Sequence, residues 1–349
     1  RRQAVANEIL SVRKGGKLGI HSIRPAKVLL YVEQSVAAGA PLPLVKMVDD
    51  LTPLIHVKEA SPSTLTVARL VHGAESCPAV HLPETNLRDL AGAIMTPIFR
   101  KLDAQPALRD KVDLWEAVNE PDPPGVDGYQ RLAELMHYVI DLGEAAGLTL
   151  ALLSLCVGTP EWAEIVGLVE TGLFARMKQG GHVLALHEGV TAPDHPIDLW
   201  WGDLIPGSPR VEGAGALCFR YRYLYHLLEE RGEVVPLIVS EWCGYDQRPL
   251  SSQQVAERVR WYDQEAAKDP WVLAFAPFTL GPVNPWMAHD YAPKMPALLQ
   301  YMESVKDRQN ATYDPAPPPP PPPSGRGQPR EQYERVTVLL PPTADAATV

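Results

Sequence analysis

The chain has 349 residues, 46% of them hydrophobic, enough to bury a substantial core in two ordinary domains or in one large α/β domain with an appendage. Its formal charge of -10 and its lack of clustered Lys and Arg exclude a nucleic-acid surface. The longest apolar stretches, such as Leu148 to Val157 and Val234 to Val239, fall well short of the roughly 20 residues needed to cross a bilayer, so no membrane partner is expected.

The first ten residues lack the apolar segment of a signal peptide and read as a processed or trimmed start. Cys77, Cys156, Cys218 and Cys243 are scattered, without a CxxC or metal-like spacing, and are expected to be mostly free and buried. Short apolar, β-branched runs then alternate with segments of helical period. The strand candidates are Lys17 to Ile23, Pro43 to Val48, Thr64 to Val71, Val112 to Val118, Leu148 to Val157, His182 to His187, Pro236 to Ser240 and Trp271 to Thr279. Helices are expected over Ala26 to Ala38, Asp50 to Lys58, Asn86 to Leu102, Gly128 to Ala146, Pro160 to Lys178, Gly213 to Arg231, Ser251 to Lys268 and Pro293 to Val305.

Eight strand–helix units in about 300 residues match a (β/α)8 TIM barrel in count and size. A doubly wound dinucleotide fold would more often use fewer strands, and no GxGxxG follows the first one. The expected organisation is a catalytic α/β barrel over residues 1–312, a Pro-rich linker over 313–330 and a C-terminal segment over 331–349. The last piece holds one strand candidate, Arg335 to Leu340, too little to fold alone; it reads as the opening of an additional domain or as a segment docked back on the barrel.

Barrel chemistry sits where the strands end. Two carboxylates surface directly from apolar strands there, Glu120 after "LWEAVN" and Glu241 after "VPLIVS". A pair of carboxylates facing one sugar ring is the requirement of glycoside hydrolysis, one as acid/base and the other as nucleophile or general base. The plainer alternative makes Glu120 a helix-entry carboxylate and Glu241 an ion-pair partner. His21, Lys46, Asp49, Arg69, His72 and His187 also fall at strand ends. Trp115, Trp200, Trp201, Trp242, Tyr245 and Trp286 are candidates for stacking on sugar, each with core packing as the alternative; Trp242 and Trp286 are preferred because they fall in the loops after strands seven and eight.

The stretches "WEAVNEPD" and "VSEWCGYD" resemble the strand-four and strand-seven motifs of the clan A, or 4/7 superfamily, retaining glycoside hydrolases. The resemblance implies Glu120 as acid/base, Asn119 as the holder of the sugar 2-hydroxyl and Glu241 as nucleophile, acting on an oligo- or polysaccharide through β-linked O-glycosidic bonds. It implies no cofactor and no metal. His187 is then a candidate to orient Glu241 or touch substrate, and Arg69 to bond the nucleophile and hold its pKa down. Glu241 is expected to raise the pKa of Glu120, keeping the acid protonated.

Two departures stand out. Strand eight ends "AFAPFTLGP" without the family's Trp, leaving Phe278 or Trp286 to supply a floor. Strand six offers His187-Glu188-Gly189 where some members carry His-x-Tyr, leaving Tyr245 as the candidate hydroxyl. A sugar-binding barrel that has lost catalysis and a metal-assisted hydrolase working through His21, His72 and His187 are the alternatives.

Overall fold

The computed structural model of the chain describes residues 14–25, 27–189, 204–243 and 251–313. Trp200, Trp201, Tyr245, the Pro-rich linker and the C-terminal strand candidate lie outside these residues. Eight strands form one parallel sheet in sequence order: β1 (Ile20–Ser22), β2 (Leu44–Val48), β3 (Leu65–Arg69), β4 (Leu114–Glu116), β5 (Leu150–Leu155), β6 (Val183–Gly189), β7 (Leu237–Cys243) and β8 (Val272–Pro277). The sheet closes on itself: Gly19 N–H donates to Phe275 O at 2.7 Å and Phe275 N–H to Lys17 O at 2.9 Å, with bridges Leu18–Phe275 and Ser22–Leu280. A Cβ on Gly19 would come within 2.7 Å of Leu44 O, so the close approach of β1 to β2 requires glycine there.

The helices are α1 (Val28–Ala37), α2 (Thr52–Ala60), α3 (Leu87–Ala104), α4 (Leu108–Lys111), α5 (Gly125–Ala145), α6 (Trp162–Glu170), α7 (Leu173–Gly180), α8 (Tyr221–Arg231), α9 (Ser252–Ala266) and α10 (Met295–Ser304). Each strand and helix expected between residues 17 and 305 has a counterpart, with three differences. The helix expected over Pro160 to Lys178 breaks into α6 and α7 because Gly172 takes a left-handed φ of 76° between them. The helix expected from Gly213 begins only at Tyr221. The single turn α4 was not anticipated, four residues being too few to show a period.

Strand side chains alternate between two cores. One set, including Leu44, Leu65, Val67, Leu114, Val183 and Ile238, packs with itself inside the barrel. The opposite set, including Val45, Met47, Trp115, Leu184, Val239 and Trp242, packs with the helices. Glu188 also points outward, where it accepts from Phe219 N–H (2.8 Å), Arg220 N–H (2.8 Å) and Tyr262 Oη–H (2.5 Å), fastening the start of α8 to β6. That outward clamp leaves its neighbour, His187, facing in.

Candidate active site

Above the apolar interior, the inward positions become charged. Register places His21 beside Lys46, Arg69 beside Glu116 and His187 beside Glu241. Plain alternation delivers Lys46 from Leu44, Glu116 from Leu114, and His187 from Val183 and Ala185. Glu241 needs more. Counting by twos from the interior residue Ile238 would turn Glu241 outward, but the pairing passes from Leu186–Val239 to His187–Glu241, so Ser240 is an extra residue in β7. This bulge re-aims Glu241 into the barrel and sends Trp242 to the helices.

Glu241 is the hub. Its Oε1 lies 3.0 Å from Lys46 Nζ, 3.3 Å from Arg69 Nη1, 3.3 Å from His21 Nε2 and 3.8 Å from His187 Nε2. All of these contacts fall on one oxygen, and Oε2 accepts no hydrogen bond among the described residues. Lys46 is fully buried and bridges to Glu116 Oε1 at 2.8 Å. Arg69 is braced from behind by Glu75, Nε to Oε2 at 3.0 Å. His21 Nδ1 shares a hydrogen bond of 2.7 Å with Thr279 Oγ1.

Glu120 sits at the rim, four residues past the end of β4, with its side chain 42% exposed. Its backbone is left-handed, φ 49°, and its N–H donates to Ser154 O at 3.0 Å. The prolines at 121, 123 and 124 keep the following chain from extending the strand, and α5 starts directly after Pro124. Glu120 Oε1 lies 2.8 Å from His187 Nδ1. Asn119 is anchored by its N–H to Glu75 O at 2.8 Å, and its buried Oδ1 has no hydrogen-bond partner among the described residues.

Burial opposes every charge here, and the ion pairs decide the outcome for all of these groups except His21. Burial pushes Glu241 up, but Lys46, His187 and His21 pull it well below the usual carboxylate range. Glu116 behaves alike: burial raises it, whereas Lys46, His187 and Arg69 bring it down to about 2. His21 is depressed by its burial, more than Glu241 restores, and is neutral at pH 7. Burial also pulls His187 down, but Glu241, Glu116 and Glu120 together raise it to about 9. Glu120 corrects an expectation. The hydrogen bond from His187 outweighs both its partial burial and the repulsion from Glu241, so its carboxyl is lowered rather than raised.

Of the remaining candidates, Trp242 is not in a loop but in β7, fully buried against Tyr262 and Phe275 with ring centroids 4.9 and 5.4 Å away; the bulge accounts for that. Trp115 is buried on the helix side as well. Trp286 is 43% exposed and packs edge-on at 5.4 Å against Phe278, whose ring lies 4.9 Å from His21, so an aromatic wall leads from the rim to the hub. Asp49 accepts from Val71 N–H and His72 from Ala74 N–H; both serve loop structure instead of joining the hub.

Glu116, His187 and Glu241 each offer an atom to a common point, within 4.8 Å of one another. Lys46 already holds that position with its ammonium, 2.8 and 3.0 Å from two of the three, so the set does not fit a metal ion. Glu116 and Glu75 were missed in the sequence. The signal for Glu116 was present: a carboxylate and a lysine, Glu116 and Lys46, each interrupt an apolar strand, and charges buried that way must pair.

No family model matches the chain, and no curated protein matches it. Solved structures do. A family 39 glycoside hydrolase from the gut symbiont Bacteroides cellulosilyticus WH2 aligns with a TM-score of 0.54 at 13% identity over 84% of this chain and 64% of its own. A Bacteroidetes-affiliated GH5 cellulase linked with a polysaccharide utilization locus gives 0.49 at 12% identity over 90% of this chain and 100% of its own. The Prevotella bryantii endo-β-mannanase/endo-β-glucanase gives 0.46 at 12% identity over 88% of this chain and 50% of its own. The chain thus spans less than two thirds of the first and half of the third. At such identities the shared property is the fold, a (β/α)8 barrel.

Proposed function

We propose that the chain is a retaining glycoside hydrolase that cleaves β-linked oligo- or polysaccharide by double displacement, with Glu241 as nucleophile and Glu120 as acid/base. The observation that carries this reading is the meeting of two strand-end carboxylates, from β4 and β7, on the opposite ring nitrogens of one buried histidine, His187. Glu241 is ionised at neutral pH, with Lys46 and Arg69 donating to Oε1, and Oε2 left for attack.

In the first step Oε2 of Glu241 bonds to the anomeric carbon as the glycosidic C–O bond breaks, and the leaving oxygen takes a proton delivered through Glu120. In the second, Glu120 takes a proton from water, the water oxygen attacks the anomeric carbon, and the Glu241 ester bond breaks. The unpaired Asn119 Oδ1 is the acceptor for a sugar hydroxyl, and Trp286 with Phe278 is the stacking surface.

A panel of nitrophenyl glycosides and polysaccharides identifies the sugar. Glu241→Ala is then expected to lose turnover and to recover it with azide, releasing a glycosyl azide of opposite anomeric configuration. Wild-type rates in Glu241→Ala without azide would sink the assignment. Glycan retention without new reducing ends in the wild type gives the barrel to sugar binding instead.

A further inference from the structure

We propose that His187 is a positioning residue that stores the catalytic proton, so that the acid of the first step is not Glu120 alone but the Glu120–His187 pair holding one proton between Oε1 and Nδ1. This rests on the glycosidase reading above and goes beyond it in saying where the proton resides.

The geometry favours the ring as the store. The His187 side chain is 2% exposed, and carboxylates lie on both of its edges: Glu120 Oε1 at 2.8 Å from Nδ1, and Glu241 Oε1 at 3.8 Å and Glu116 Oε1 at 4.0 Å from Nε2. The two Nε2 contacts are too long for hydrogen bonds and act as charges. Nδ1 is therefore the one ring atom with a hydrogen-bonded route outward, and that route ends on Glu120 at the rim. The other titratable groups around the ring are Lys46 from β2, which repels it, and Arg69 and His21 from β3 and β1, which contact Glu241. Beyond β5, the Cys156 thiol acts on Glu120, which it helps to lower, and not on the ring. Burial lowers the affinity of the ring for a second proton, but the three carboxylates outweigh it and carry the ring to about 9, while Glu120 is lowered.

The sequence of charges then follows. Before reaction Glu241 and Glu120 are anions and His187 is a cation. As Oε2 of Glu241 bonds to the anomeric carbon its charge is lost, and with it the largest attraction holding the ring proton. The Nδ1 proton passes to Glu120 and from Glu120 to the leaving oxygen, ending with a neutral ring, an ionised Glu120 and an ester. Net charge is unchanged. In the second step water gives a proton through Glu120 back to Nδ1, its oxygen takes the anomeric carbon, and Glu241 leaves as the carboxylate.

The test uses the full chain and aryl β-glycosides of whichever sugar the wild type cleaves. His187→Gln is expected to lower kcat/KM on the phenyl glycoside, whose leaving group needs a proton, by about 100-fold or more. On the 2,4-dinitrophenyl glycoside, which leaves unaided, the fall stays within about threefold, and the alkaline limb of the phenyl profile moves to lower pH. Independently of any variant's folding, 15N-histidine spectra of the wild type at pH 7 are expected to show His187 with both nitrogens protonated. After Glu241 is trapped with a 2,4-dinitrophenyl 2-deoxy-2-fluoro-β-glycoside, one should be protonated. Equal losses on both leaving groups, or a ring carrying a single N–H in the free enzyme, overturns the inference alone. A wild type that cleaves no glycoside overturns the glycosidase reading, and this inference with it.

Discussion

Lys46 and Glu241 form a buried ion pair, Nζ to Oε1 at 3.0 Å, across the barrel from β2 to β7. Lys46 is the first of the charges that hold Glu241 down, and it supports Glu116 in the same way. Lys46→Met leaves two carboxylates facing each other without a cation. Removing one partner of a buried pair typically costs about 3–5 kcal/mol, and that loss is expected in urea unfolding. In the folded fraction the pKa of Glu241 rises. In the proposed mechanism ionised Glu241 is the reactive form, so the acid limb of kcat/KM is expected to move toward neutral pH. A limb that stays in place would show that Lys46 does not govern the nucleophile.

The same ammonium predicts indifference to chelators. With Lys46 Nζ at the point shared by Glu116 and Glu241, a divalent cation has no room and meets a like charge. Activity is expected to be unchanged after prolonged treatment with EDTA and to be unaffected by added zinc or manganese. Inactivation by the chelator, reversed by one metal, would require a different chemistry at this site.

The barrel was legible in the sequence because all eight strands are apolar runs bounded by helical periods, and both signals are local. Glu120 and Glu241 were legible because each ends such a run. What was not legible depends on register. Nothing in "VPLIVSEWC" marks Ser240 as the extra residue, yet that one insertion decides that Glu241 faces into the barrel and Trp242 faces Tyr262. The protonation of Glu120 was likewise out of reach: the partner that lowers it, His187, lies 67 positions away, and a hydrogen bond of 2.8 Å outweighs the repulsion that the carboxylate pairing alone implies.

Two buried groups with shifts in opposite directions contribute to the pH dependence of stability. Glu116 is lowered from an ordinary 4.5 to about 2, so it stabilises the fold above 4.5 and that contribution is lost as pH falls toward 2. His187 is raised from 6.5 to about 9, so its contribution is complete below 6.5 and is lost as pH rises through 9. Each is of order 3 kcal/mol. Their summed contribution is greatest between about pH 4.5 and 6.5, and urea titrations of wild type against variants read each part by difference. Glu116→Gln should flatten the acid side and His187→Gln the alkaline side; slopes unchanged in the two variants would remove both groups as the cause.

Trp242 and Trp286, equivalent in the sequence, are expected to separate completely by mutation. Trp242 is fully buried between β7 and α9. Trp242→Ala therefore opens a cavity and costs about 3–5 kcal/mol, lowering the melting temperature by several degrees or more. Trp286 is 43% exposed in a single 3-10 turn, Trp286–His289, at the rim beside Phe278. Trp286→Ala is expected to leave the melting temperature within a degree or so of wild type, because little buried surface is lost. Its effect falls on substrate: a stacking surface removed from the ground and transition states alike raises KM by about tenfold while kcat stays nearly constant. Melting curves and initial-rate kinetics on an oligosaccharide substrate check both. Trp286→Ala with unchanged KM would take the rim aromatic out of the binding surface and leave Phe278, 4.9 Å from His21, as its inner wall.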